Sequence, residues 1–250
     1  MDFPDFTNSK RHDMSKYDTL MTHSVGGNPI QNAARYSHNS IQGHHHSVFG
    51  IAYHADMNNL RWHMSVGCLL DQNSPAARYG KMAVLKRPIL GCGVILSDLG
   101  NFLVISDLHI PYHHKHSFDF LWAVAEAYDC VNILNVGDVI DHHAGSFHES
   151  EPDAYSAEQE YELAKIYAQE LEEMFPQMVI TTGNHCNIPV RKAKAAGLPT
   201  SMLSDFNHLY DLKGGWDWVD IHKFATKGGT PMLVPMTLNK RGWDKKVRPL

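Results

Sequence analysis

At 250 residues the chain has room for one ordinary globular domain with its own core. Its 43% apolar and 20% charged residues exclude a disordered polymer, and no apolar run is long enough to span a bilayer. A formal charge of −5 argues against a broad phosphate-binding surface for long nucleic acid, though not against a small basic cleft.

In chain order, residues 1–19 are polar, mixed in charge and without the apolar stretch of a secretory signal, so they read as an extension. A short apolar step at Leu20 and Met21 leads to Thr22, His23 and Ser24, and Gly43-His44-His45-His46 follows. Segments 60–70 and 88–96 read as strands. Residues 94–105 hold two apolar runs around Ser97-Asp98-Leu99-Gly100-Asn101, the pattern of a β-hairpin, which predicts that the two halves of the chain share one sheet. Runs 102–105, 131–136 and 178–182 read as buried strands, each followed at once by polar residues. Between them, 117–129 and 153–175 read as helices. The first carries Phe118, Leu121, Trp122 and Ala125 on one stripe, the second Leu163, Ile166, Tyr167, Leu171, Met174 and Phe175, and Pro176 ends it. Alternating strands and helices predict an α/β fold with parallel crossovers, whose ligands bind at the carboxyl ends of the strands. The tail, with Lys240, Arg241, Lys245, Lys246 and Arg248, reads as solvated. Cys68, Cys92, Cys130 and Cys186 lack any disulfide or C-x-x-C spacing and read as reduced thiols.

The unusual count is 18 histidines. Imidazole is the commonest side-chain ligand for transition metals, but exposed histidines are frequent, so position decides. The three strand ends carry Asp107 and His109, Asp138 and Asp141, Asn184 and His185. On an extended segment a D-x-H sends both side chains to one face, where one metal takes both. A carboxylate such as Asp138 has two oxygens and reaches a second metal. Such mixed N/O donors suit manganese, iron, zinc or nickel better than calcium.

Asp107-Leu108-His109, Gly137-Asp138-Val139-Ile140-Asp141 and Gly183-Asn184-His185 resemble the first motifs of the calcineurin-like metallophosphoesterases, D-x-H, G-D-x-x-D and G-N-H-[DE]. That family continues with a lone His and a G-H-x-H. Here those elements stand earlier, at His23 and at Gly43-His44-His45-His46, so the resemblance is to a circularly permuted member, similar to small phage and bacterial ones. It implies an αββα sandwich of two mixed sheets flanked by helices, built as one domain over 1–250. Segment 20–97 would carry the family's C-terminal motifs and 98–225 its N-terminal ones, with 1–19 and 237–250 as extensions. It further implies two divalent metals, manganese foremost, one on Asp107, His109, Asp138 and His46, the other on Asp138, Asn184, His23 and His44. The implied reaction is hydrolysis of a phosphate ester by a hydroxide between the metals, with His185 as proton donor oriented by Asp141. The expected location is the cytoplasm, that of the host for a phage-encoded chain. Cys186 stands where the family has an acid, and His142 where the protein phosphatases carry a phosphate-clamping arginine. The second departure favours a phosphodiester, nucleotide or nucleic-acid derived, over a phosphomonoester.

Plainer readings stand beside these. The triple histidine also fits an exposed loop, and His23 a buried core histidine. His113, His114 and His116 read as a cleft-side loop rather than a third metal site. His142 and His143 read equally as substrate contacts or loop residues. Arg191, Lys192 and Lys194 read as a solvated helix face or a phosphate attractor, and Tyr161 and Tyr167 as core or rim. A non-catalytic scaffold of the same fold is the competing class, disfavoured because every ligand position can be assigned.

Overall fold

The computed structural model describes residues 17–23, 38–55, 57–77, 87–147, 151, 153–240 and 242–250. Most of the extension 1–19, together with Ser24 and Arg241, lies outside them. Among the described residues two large mixed sheets dominate. The first contains β1 (Thr19–Thr22), β2 (Asn39–Gln42), β3 (Phe49–Ala55), β4 (Leu60–Val66) and β10 (His222–Phe224), in the order β10-β1-β2-β4-β3. The second contains β5 (Gly91–Leu96), β6 (Asn101–Ile105), β7 (Cys130–Asn135), β8 (Met178–Thr181), β9 (Trp216–Val219) and β11 (Thr230–Pro235), in the order β11-β5-β6-β7-β8-β9. Strands β6 to β9 run parallel, as do β1, β2 and β4, while β3, β5, β10 and β11 pair antiparallel.

The fold class is the one the sequence points to, two mixed sheets flanked by helices. One detail differs. The hairpin β5–β6 forms, but of the first five strands β5 alone enters the second sheet, while β1 to β4 join β10 in the first. The reason lies in which faces are apolar. Met21, Ile41, Trp62, Met64 and Val66 pack against Ile95, Phe102, Val104, Leu134 and Val136, so the sheets stack face to face instead of joining edge to edge. Each such fully buried aliphatic side chain stabilises the stack by about 1.5–3 kcal/mol.

The alternate residues of the second sheet, among them Cys92, Leu103, Ile105 and Ile180, face the helices α1 (Ser117–Ala127) and α2 (Ala157–Met174). Helix α2 opens on a capping box, with Ser156 accepting from the Gln159 amide and the Gln159 side chain returning to Ser156. The apolar stripes are narrower than the sequence suggests: Trp122 is 46% and Ile166 57% exposed. The buried side of α2 is instead Glu160, Ala164, Ala168 and Leu171. Two short helices, α3 (Ile188–Ala195) and α4 (Phe206–Leu209), follow β8. No helix among the described residues is long and apolar enough to cross a membrane.

Candidate metal centre

Five parallel strands end at one edge of the stack. Thr22 of β1 pairs with Gln42 of β2, so His23 and the loop 43–46 leave the first sheet side by side. Strands β6, β7 and β8 deliver Asp107 and His109, Asp138 and Asp141, Asn184 and His185 from the second. The D-x-H is not extended, as the sequence had suggested. Asp107 (φ 48°) and His109 (φ 53°) are both left-handed, as is Asp138 (φ 46°). The segment stays tied to the neighbouring loop through Asp107 N–H to Gly137 O (3.1 Å) and His109 N–H to Asp138 O (2.9 Å). Left-handed backbone at non-glycine residues costs about 1–3 kcal/mol each and collects at functional sites.

The seven residues expected as ligands lie together in two groups. In one, His46 Nε2 and His109 Nε2 face each other at 3.1 Å, with Asp107 Oδ1 at 3.1 Å from the first and 3.7 Å from the second. In the other, His23 Nε2 lies 2.9 Å from Asp138 Oδ2 and 3.1 Å from Asn184 Oδ1. The His44 ring stands edge-on to His23 with centroids 5.3 Å apart. One donor atom each from His23, His44 and Asp138 falls within 4.8 Å of the others, as it does for His46, Asp107 and His109. A third group of this kind joins His109, Asp141 and His185. Asp141 Oδ1 contacts His109 Nδ1 at 3.3 Å and also His185 Nδ1.

Asp107, Asp138 and Asp141 are buried, and among the described residues the ion-pair partners of all three are histidines. Burial alone would raise their carboxyl pKa values; His23 acting on Asp107 and Asp138, and His109 on Asp141, holds all three below the usual range. The same contacts act in reverse on His23. Burial lowers its pKa, but the Asp138 and Asp107 charges outweigh that and carry it to about 9. A second imidazole nitrogen facing another across 3.1 Å, beside a buried carboxylate, is a donor set that fits a divalent cation. The Cys186 thiol does not join it, being pushed up to about 12 by burial with its Sγ toward Ile140 O.

The family profile described as calcineurin-like phosphoesterase matches residues 100–249. The chain belongs to the calcineurin-like phosphoesterase family. It is thus a metal-dependent hydrolase of phosphate esters. Searches of curated proteins and of solved structures found no match. The matched span holds the D-x-H, G-D-x-x-D and G-N-H motifs of this phosphoesterase, whereas His23, His44 and His46 precede it.

Two further histidines of the phosphoesterase, His113 and His142, are engaged by neighbouring groups. His113 stacks on Phe118 with centroids 4.7 Å apart and meets Tyr167 edge-on, and burial lowers it to about 4. Arg191 and Lys192 stand over the Phe147 ring, at 4.9 Å and 4.2 Å. His142 is committed at both nitrogens: Nδ1 donates to the His185 carbonyl at 3.1 Å and Nε2 accepts from Tyr210 Oη at 2.8 Å.

Tyr210 and Glu160 were missed in the sequence. Glu160 carried a signal, an acid on the Ala164/Ala168/Leu171 stripe. Its carboxylate takes the amides of His143 (2.5 Å) and Ala144 (2.7 Å), fastening the loop that follows Asp141. Burial raises its pKa from 4.5 to about 7, the two amide bonds pulling the other way. Between those values the folded chain keeps a proton the unfolded chain has lost. Stability therefore falls as pH rises through that window, by about 3 kcal/mol at most. In Glu160→Gln the decline in melting temperature from about pH 5 to about pH 8 is expected to be flatter than in the parent. Parallel slopes would take Glu160 out of that titration.

Proposed function

We propose that this phosphoesterase hydrolyses phosphodiesters of nucleotide or nucleic-acid origin at a two-metal centre. Asp107, His109 and His46 would hold one ion, His23, His44 and Asn184 the other, with Asp138 shared between them. The observation that carries this reading is the meeting of imidazoles from the first fifty residues with carboxylates from the middle of the chain, His23 to Asp138 at 2.9 Å and His46 to Asp107 at 3.1 Å. Two bound divalent ions, manganese foremost, supply Lewis-acid stabilisation of the phosphoryl oxygens and an activated water. Asp141 keeps His185 Nδ1 engaged, which leaves Nε2 to hand a proton to the departing oxygen.

We propose further that the motifs are circularly permuted within one domain. Support comes from β10 pairing antiparallel with β1, Phe224 opposite Thr19 and His222 opposite Met21. Asp18 Oδ1 also takes the Thr226 amide at 2.8 Å and its hydroxyl at 2.9 Å. In an unpermuted relative the chain would run directly from this place into β1, and the β5–β6 hairpin would be open. Both ends of such a rearrangement are near one another, as permutation requires.

The diester preference rests on His142. Its side chain is spent on a backbone carbonyl and a tyrosine, so it offers no phosphate clamp of the kind a monoesterase uses. With added manganese, bis(p-nitrophenyl) phosphate is expected to turn over with a kcat/KM at least tenfold above that of p-nitrophenyl phosphate. The reverse order would make the enzyme a phosphomonoesterase.

A further inference from the structure

The loop between Asp141 and Phe147 is held from behind by groups the reaction itself does not use. Tyr210, 1% exposed, closes α4 and donates its hydroxyl to His142 Nε2 at 2.8 Å. A carbonyl only accepts, so the contact of His142 Nδ1 with the His185 oxygen at 3.1 Å requires the proton on Nδ1. Burial favours the neutral ring, so the tyrosine hydroxyl donates to Nε2. The direction of every hydrogen bond in the chain Tyr210–His142–His185 is thereby set. His142 sits in left-handed backbone (φ 57°), a conformation that needs outside support. Glu160 provides it through the next two amides, at His143 and Ala144. A cavity of about 230 Å³ lined by Ile140, Ala144, Tyr161 and Leu209 lies beside these groups, so apolar packing alone does not lock the loop.

We infer that Tyr210, His142 and Glu160 are positioning residues for His185, fixing its main chain so that its imidazole meets the departing oxygen. The inference rests on the proposed role of His185 as proton donor. In that step water adds to phosphorus, the ester P–O bond breaks with its electron pair on the leaving oxygen, and the Nε2 proton of His185 neutralises it. The water's own proton restores the imidazole. Misplacing His185 slows departure of a basic oxygen far more than that of a stabilised one.

The test compares diphenyl phosphate, a poor leaving group, with bis(p-nitrophenyl) phosphate, a good one, in the manganese-loaded full chain. Tyr210→Phe is expected to lose about twentyfold in kcat on the first and about threefold on the second, with KM changed less than twofold on either. A uniform loss on both esters, or none, overturns the inference. His142→Asn carries the same comparison should Tyr210→Phe not fold. Independently of turnover, ¹⁵N-histidine spectra of the metal-free protein are expected to show His142 protonated at Nδ1, and a signal at Nε2–H would also overturn it. A parent enzyme inactive on both esters would instead sink the proposed function, so the two failures are distinguishable.

Discussion

Asp138→Asn is expected to lower kcat/KM for bis(p-nitrophenyl) phosphate by about a thousandfold, some 4 kcal/mol of transition-state stabilisation. Asp138 is the carboxylate proposed above to serve both ions, and it groups with His23 and His44. Its Oδ2 lies against His23, while Oδ1 accepts the His185 amide at 2.8 Å and the Cys186 amide at 3.4 Å. One carboxylate therefore carries negative charge toward a metal position and also orients the backbone of the proposed proton donor. Asparagine keeps the shape but gives up the charge that burial has made expensive to replace. The variant is expected to melt within a few degrees of the parent when both are metal-free, and isothermal titration with manganese should show both sites weakened, at least one of them about tenfold. Turnover above a tenth of the parent's would remove Asp138 from the centre.

Gly183→Ala is expected to do comparable damage by a different route. A Cβ at Gly183 would stand 2.5 Å from the Asp138 amide nitrogen and 2.6 Å from its carboxyl carbon. Those are backbone and short, buried atoms, with no flexible end to swing away. Either β8 or the Asp138 turn must move. Overpacking of this kind costs about 3 kcal/mol, or roughly 10 °C in a domain of this size. Differential scanning calorimetry and the diester assay together check it; a parent-like melting temperature with full activity would mean the approach is looser than described. Gly137 (φ 99°) faces the same restriction from the other side, where an added Cβ would meet the His23 ring at 2.6 Å.

Those glycines explain why so much of the candidate site was legible in the sequence. Where a strand must end and a carboxylate be approached closely, glycine precedes the functional residue, and the pair reads as a motif. The parallel strands were legible for a related reason, since a strand buried on both faces is an unbroken apolar run. The division into two sheets was not. It depends on which faces stack, and no local pattern tells that β5 leaves its predecessors. Trp122 and Ile166 misled because an apolar residue at helical spacing is no proof of burial. Glu160 and Tyr210 escaped because their partners are main-chain amides and a histidine brought near only by the loop's left-handed turn.

The pairing of β1 with β10 bears on how the molecule is made. Thr19 and Thr226, in hydroxyl contact, are 207 positions apart. During synthesis the strand beside His23 therefore keeps an unpaired edge until the residues of β10, far along the chain, have been made. A ribosome-bound fragment ending before β10 lacks that closing partner, and contacts this far apart in the chain form slowly.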